Sequence, residues 1–214
     1  MADLTKTTGV ILLGGGSQEW NTVDDNASVS GDFVESAELD CGVFLETTLH
    51  IDVCQSNNSV GAAATPIKVR VLVKSNDTSG TDHDWHLLTE LQAFSTVTYG
   101  GTAATYGTID LNTTSAPVSS TAFFNPGDPV LLKGDTYTEY ELVWIADVTT
   151  TNYKLMDPVD FSHDDGGGSL YAVLGQFNVS IPPSVSVCKV FFINTDEDAT
   201  YEVRVRYTGV SEIV

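Results

Sequence analysis

Positive charge is scarce in this chain: nine Lys and Arg stand against 29 Asp and Glu, a formal net charge of −20 over 214 residues. Phosphates would meet a repelling field, so a nucleic-acid partner is not expected. Long apolar runs are missing as well, and no stretch reaches the length of a membrane-spanning helix. Cysteine is sparse. Cys41, Cys54 and Cys188 form an odd set without a close pair, which excludes a disulfide framework and reads them as reduced, inert strand residues. A single disulfide between two of them stays open. The start, Met1-Ala2-Asp3-Leu4, has no charged segment, and Val10 to Leu13 is too short for the core of a secretion signal. Synthesis in a cytoplasm is the expectation.

Catalytic signatures are also lacking. There is no Gly-x-Ser-x-Gly elbow, and His50, His83, His86 and His163 sit in no nucleophile motif. The triplet Gly14-Gly15-Gly16 is followed neither by Gly-Lys-Ser/Thr nor by a helical pattern, so it is no phosphate loop. Three stretches hold clustered metal-ligating types: His83, His86 and Glu90; His163, Asp164 and Asp165; and Asp196, Glu197 and Asp198. None matches an established zinc or calcium spacing, and three adjacent acids on a strand-like tip point in alternating directions. The chain is therefore expected to be no enzyme, with no catalytic residue, no cofactor and no metal.

What is present is the material of strands and turns. Ile67, Val69, Val71 and Val73 alternate with Lys68, Arg70 and Lys74, the mark of a half-buried strand. Before it, Val43, Leu45, Leu49, Ile51 and Val53 fall on one face, with Glu46, Thr48, His50 and Asp52 on the other. Pairing of these two strands would set Glu46 and Asp52 near Arg70 or Lys68. Trp85, Leu87, Thr89 and Leu91 alternate in phase, which places the indole in the core, and Tyr140, Leu142, Trp144, Ala146 and Val148 share one side of a further strand. Tyr171 to Ile181 is another, ended by Pro182-Pro183. The cleanest pattern lies near the C-terminus. Val187 to Ile193 is apolar at nearly every position and reads as buried on both faces, whereas Tyr201, Val203, Val205 and Tyr207 alternate with Glu202, Arg204 and Arg206, as if buried on one. The two read as a hairpin.

Turn signals recur between strands, and about nine or ten strands without a helix predict an all-β fold: an antiparallel β-sandwich, jelly-roll-like. Residues 1–35 read as an N-terminal strand or arm with a connector, and residues 36–214 as a single β-sandwich domain.

The stretch from Val69 to Leu91, with Asp84-Trp85-His86-Leu87-Leu88-Thr89-Glu90, resembles small all-β virion proteins of tailed bacteriophages. So does the ending, where Ile181-Pro182-Pro183 precedes Cys188-Lys189-Val190 and Asn194-Thr195-Asp196 leads into Tyr201-Glu202-Val203-Arg204-Val205. The resemblance implies a capsid decoration or cement protein, or else a tail or fibre component, made in the host bacterial cytoplasm and carried on the virion. It implies the major capsid protein and neighbouring copies, as a dimer or trimer, for partners. The rival expectation is a glycan-binding module, with Trp85, Trp144 and several tyrosines as a stacking platform.

Overall fold

The computed structural model describes residues 3–13, 19–23, 32–58, 66–75, 84–93, 104–119, 121, 124–133, 139–163, 169–194 and 199–213. They form fifteen strands: β1 (Asp3–Ile11), β2 (Trp20–Val23), β3 (Asp32–Glu35), β4 (Leu39–Asp40), β5 (Glu46–Asn58), β6 (Ile67–Ser75), β7 (His86–Ala93), β8 (Ala104–Thr105), β9 (Ser115–Pro117), β10 (Pro129–Lys133), β11 (Glu141–Val148), β12 (Asn152–Leu155), β13 (Ser169–Ile181), β14 (Val185–Asn194) and β15 (Ala199–Ile213). Nine of them run five residues or more, and these are the strands that periodicity predicts or adjoins. No helix among the described residues is long and apolar enough to cross a membrane.

The strands make two antiparallel sheets. The larger has ten strands in the order β1-β15-β5-β13-β10-β11-β12-β9, with β2 also on β15 and β8 also on β13; the smaller has five, ordered β3-β14-β6-β7 with β4 on β14. The main core lies between them. Leu49, Ile51, Val53, Val179, Ile181, Tyr201, Val203 and Val205 from the large sheet meet Ile67, Val69, Val71, Val73, Cys188, Val190 and Phe192 from the small one. The period-two alternation of β6 drives this directly, since its even-numbered side chains stay half exposed while the odd ones bury. The all-β, sandwich-like architecture expected from the sequence is the one observed.

Pairing departs from expectation. β14 and β15 are no hairpin: β14 pairs with β3, β4 and β6, whereas β15 lies in the other sheet between β1 and β2 on one side and β5 on the other. Their apolar faces look at each other across the core, an arrangement that alternation alone does not separate from a hairpin. β5 and β6 are likewise in different sheets, so Asp52 faces Arg204 in register and Arg70 faces Glu90. Burial is reversed as well. β14 alternates between buried and half-buried, while every residue from Tyr201 to Val205 is buried. Val43 and Leu45, expected inside, are 61% and 53% exposed because they precede the strand proper.

β1 pairs along its whole length with the chain's own β15. At the opposite end the large sheet curls. The first residues of β13 pair with β10 on one side and β8 on the other. From β10 the ladder passes through β11 and β12 to β9. A Tyr106–Val118 bridge and a Gly107 amide donating to the Pro117 carbonyl at 2.8 Å bring it back to β8. The ring closes as a small antiparallel barrel around a second core, which includes Ile109, Ala116, Val130, Leu132, Val143, Ile145, Tyr153, Leu155 and Leu170. The sandwich and the barrel share β13, whose register shifts between Val173 and Gly175 where one gives way to the other.

Candidate functional site

Two groups of charged and aromatic side chains stand out, one buried and one exposed. The buried group covers the outer face of β15 beside the barrel. Arg204 Nη2 reaches Asp52 Oδ2 at 2.8 Å and its Nη1 reaches Glu19 at 3.0 Å, while its guanidinium lies 4.4 Å from the Trp20 ring centre. Arg206 and Gln176 also donate to Asp52, at 3.4 and 3.1 Å. Glu202 is fully buried and accepts from Lys133 Nζ at 2.5 Å and from Thr22 Oγ1 at 3.1 Å. The Lys133 ammonium also faces the rings of Tyr140 and Tyr171. Burial pulls the Lys133 ammonium down, but the hydrogen bond and charge of Glu202, helped by Tyr140, outweigh it and hold the group above the usual lysine range. Burial pushes the neighbouring Cys54 thiol well up, which leaves it a poor nucleophile. A closed set of matched charges of this kind fixes strand register; it offers no open position to a substrate.

The exposed group occupies the outer face of the small sheet. Register places Phe33, Ile193, Lys68 and Gln92 in one row across β3, β14, β6 and β7, and Glu35, Phe191, Arg70 and Glu90 in the next. Beyond them Trp85 lies under two ammonium groups, with Lys74 Nζ 4.4 Å and Lys189 Nζ 4.6 Å from its ring centre. Lys189 also sits 4.7 Å from the Phe191 ring, and Phe191 stacks on Phe33 at 6.0 Å between centroids. Phe33 is 60% and Leu87 55% exposed.

Four of the chain's nine bases, Lys68, Arg70, Lys74 and Lys189, thus share one sheet face. Acids there are tied to them: Arg70 to Glu90 at 2.7 Å, Lys189 to Glu35 at 3.2 Å and Lys74 to Glu38 at 4.0 Å. The Arg70 hydrogen bond holds the Glu90 carboxyl below the usual range. Charge on this face is close to balanced, on a chain whose total is −20.

Trp85 reaches this face by a register shift. β7 pairs Thr89 with Val71 but Leu87 with Leu72, so Leu88 is an extra residue that turns everything before it over. Leu88 and Leu91 pack on the core, while Leu87 and Trp85 point out, contrary to the phase expected from alternation. The adjacent pair Leu87-Leu88 is the signal for it, because two neighbouring apolar residues break a period of two. Trp144 is also outside the core, at 40% exposure, since Val143 and Ile145 fill the barrel instead. The wholly buried indole is Trp20, which alternation does not single out.

Among the candidate metal ligands, Glu90 is the partner of Arg70, whereas exposed His86, in register with Val73 beyond the extra residue Leu88, is turned to the other face of β7. His163 is buried in the barrel, with Nε2 3.3 Å from Glu141 Oε2 and Nδ1 3.3 Å from the Tyr106 hydroxyl. His83, Asp164, Asp165 and the Asp196-Glu197-Asp198 tip lie outside the described residues. Among the described residues no three His, Cys, Asp or Glu side chains are grouped to hold a metal. A shallow groove of about 450 Å³, lined by Thr8, Val10, Arg206, Tyr207 and Thr208, contains His50. Both ring nitrogens of His50 are engaged, by Asn178 Oδ1 at 2.6 Å and Thr208 Oγ1 at 3.0 Å. No family model matches the chain, and no curated protein matches it.

Proposed function

We propose that this protein is a virion structural protein of the capsid decoration type, which docks on an assembled shell through the outer face of its small sheet. One observation carries the reading: on a chain of net charge −20, the β3-β14-β6-β7 face gathers four bases, the exposed Phe33 and Leu87 and the half-buried rings of Trp85 and Phe191 at near-balanced charge. Elsewhere in the chain acids far outnumber bases. Here a partner can bury apolar surface and place carboxylates against Lys74, Lys189 and Lys68 without meeting that excess. The partner is the major capsid protein, on a surface that presents acids beside apolar side chains. Neighbouring copies would meet around the same lattice points, where repetition multiplies a modest single contact. The two-layer body suits a rigid clamp, because each sheet is anchored by a central strand, β14 or β5, with partners on both sides.

Copurification with intact particles tests this. The native chain should band with virions in a density gradient, and Lys74→Glu with Lys189→Glu should lower its occupancy at least tenfold while leaving the circular dichroism spectrum unchanged. A protein present in infected lysate but never on particles overturns the reading.

A glycan-binding role has its own support in the positions of Trp85 and Trp144, both of which lie outside the core. Saccharide binding that Trp144→Ala abolishes, with particle association unaffected, would favour it over docking.

A further inference from the structure

We infer that Cys41 and Cys188 are a latent cross-link, a pair of thiols placed to become one disulfide when the protein meets a low-molecular-weight disulfide oxidant such as glutathione disulfide. Their sulfurs are 3.4 Å apart and both residues are buried. The backbone holds them there. Cys188 is an inward-facing residue of β14 paired with Leu39 of β4, and the Cys41 amide donates to the Ser186 carbonyl of the same strand at 2.7 Å. Closing the bond therefore asks for a small side-chain rotation rather than a move of either strand.

The pair is chemically asymmetric. Their mutual hydrogen bond holds the Cys41 thiol below the usual range, aided by Thr47, and the same bond together with burial pushes the Cys188 thiol up. Cys41 also begins the short turn that leads to β5, so it is the sulfur a local opening would expose first. In the first step the Cys41 thiolate attacks one sulfur of the oxidant, forming a mixed disulfide and releasing one glutathione thiolate. In the second, Cys188 loses its proton and displaces the other glutathione from Cys41. Two protein thiols are oxidised and one glutathione disulfide is reduced to two glutathiones, so atoms and electrons balance. Cys54 takes no part, because it is fully buried on the other face of the large sheet, against Trp20 and Leu131.

The bond would tie the β4–β5 turn to the middle of the small sheet across 147 positions of sequence. A chain that is reduced where it is made would be stapled in oxidising surroundings.

The test is to incubate the native full-length chain with excess glutathione disulfide, block remaining thiols after denaturation, and map the products by mass spectrometry. The expected result is a monomer with a Cys41–Cys188 linked peptide and a single blocked cysteine at 54. The melting temperature should rise by about 5 to 15 °C, and a reductant should return it to its starting value. Cys54→Ser should oxidise as the native chain does, and Cys41→Ser should retain two blockable thiols. Three blockable thiols after exposure, a disulfide that uses Cys54, or a cross-link between chains would each overturn the inference.

Discussion

The same chemical contact occurs twice in this molecule with opposite consequences. Arg204 lies 4.4 Å from the Trp20 ring centre, and Lys74 lies 4.4 Å from that of Trp85. Each cation also has a carboxylate partner, Asp52 for the first and Glu38 for the second. What differs is water. Trp20 and Asp52 are 1% and 2% exposed, so the first contact is locked and its charges cannot be solvated if a partner is lost. The second stands nearer the surface, where the Lys74 and Glu38 side chains stay 26% and 56% exposed and keep part of their hydration, so the contact adds little to folding. Burial turns one cation–aromatic pair into a determinant of register, and exposure leaves the other free to be used by a partner.

The strongest way to break this comparison is at the buried end. Lys133→Met removes the counter-charge of the fully buried Glu202 and should cost about 3 to 5 kcal/mol in urea unfolding. A loss below about 1 kcal/mol would mean that Glu202 finds other company and the network is not a locked one. Adding Glu202→Leu to that variant should recover most of the loss, because an apolar pair leaves no charge unpaired; a double variant weaker than the single one would refute the charge-matching account. At the exposed end, Trp85→Ala should change stability by no more than about 1 kcal/mol, yet lower particle occupancy several-fold.

The smallest effect concerns alkaline pH. The folded-state ammonium of Lys133 is held above the usual range, so its stabilising share is complete below the unfolded lysine value of about 10.4 and is lost as pH climbs through the higher folded value. The stability gap between the native chain and Lys133→Met should stay level up to about pH 10 and narrow above it. A gap that widens there would reverse the sign assigned to the Lys133 contact.

Strand-level order was legible in the sequence wherever one face meets the core and the other meets water. β6 is the clearest case, with Ile67, Val69, Val71 and Val73 in and Lys68, Arg70 and Lys74 out. Sheet membership was not. Alternation says which side of a strand is apolar and is silent about whether its sequence neighbour lies beside it or across the core, so β14 and β15 read as a hairpin and are found in opposing sheets. Glu202 and Arg204 alternate as surface residues do, and what buries them comes from far along the chain: Lys133 from β10, Trp20 from β2 and Asp52 from β5. The candidate docking face was half visible. Its lysines were placed outward, but the extra residue at Leu88 delivers Trp85 to them, and a strict period of two hides that shift. The barrel depends on strands as short as β8 and β9, which carry too few residues to show any period.

Closure of that barrel bears on how copies of the protein can meet. An open sheet has two exposed rims, each able to recruit another strand, and a molecule with two such rims can string into a filament. Here the barrel end of the large sheet closes on its own ring, whereas among the described residues β1, continued by β2, forms the rim at the other end, and β13 from Gly175 to Ile181 is laddered only to β5. Two copies that join their large sheets at this end would pair β1 with β1, antiparallel, about a two-fold axis.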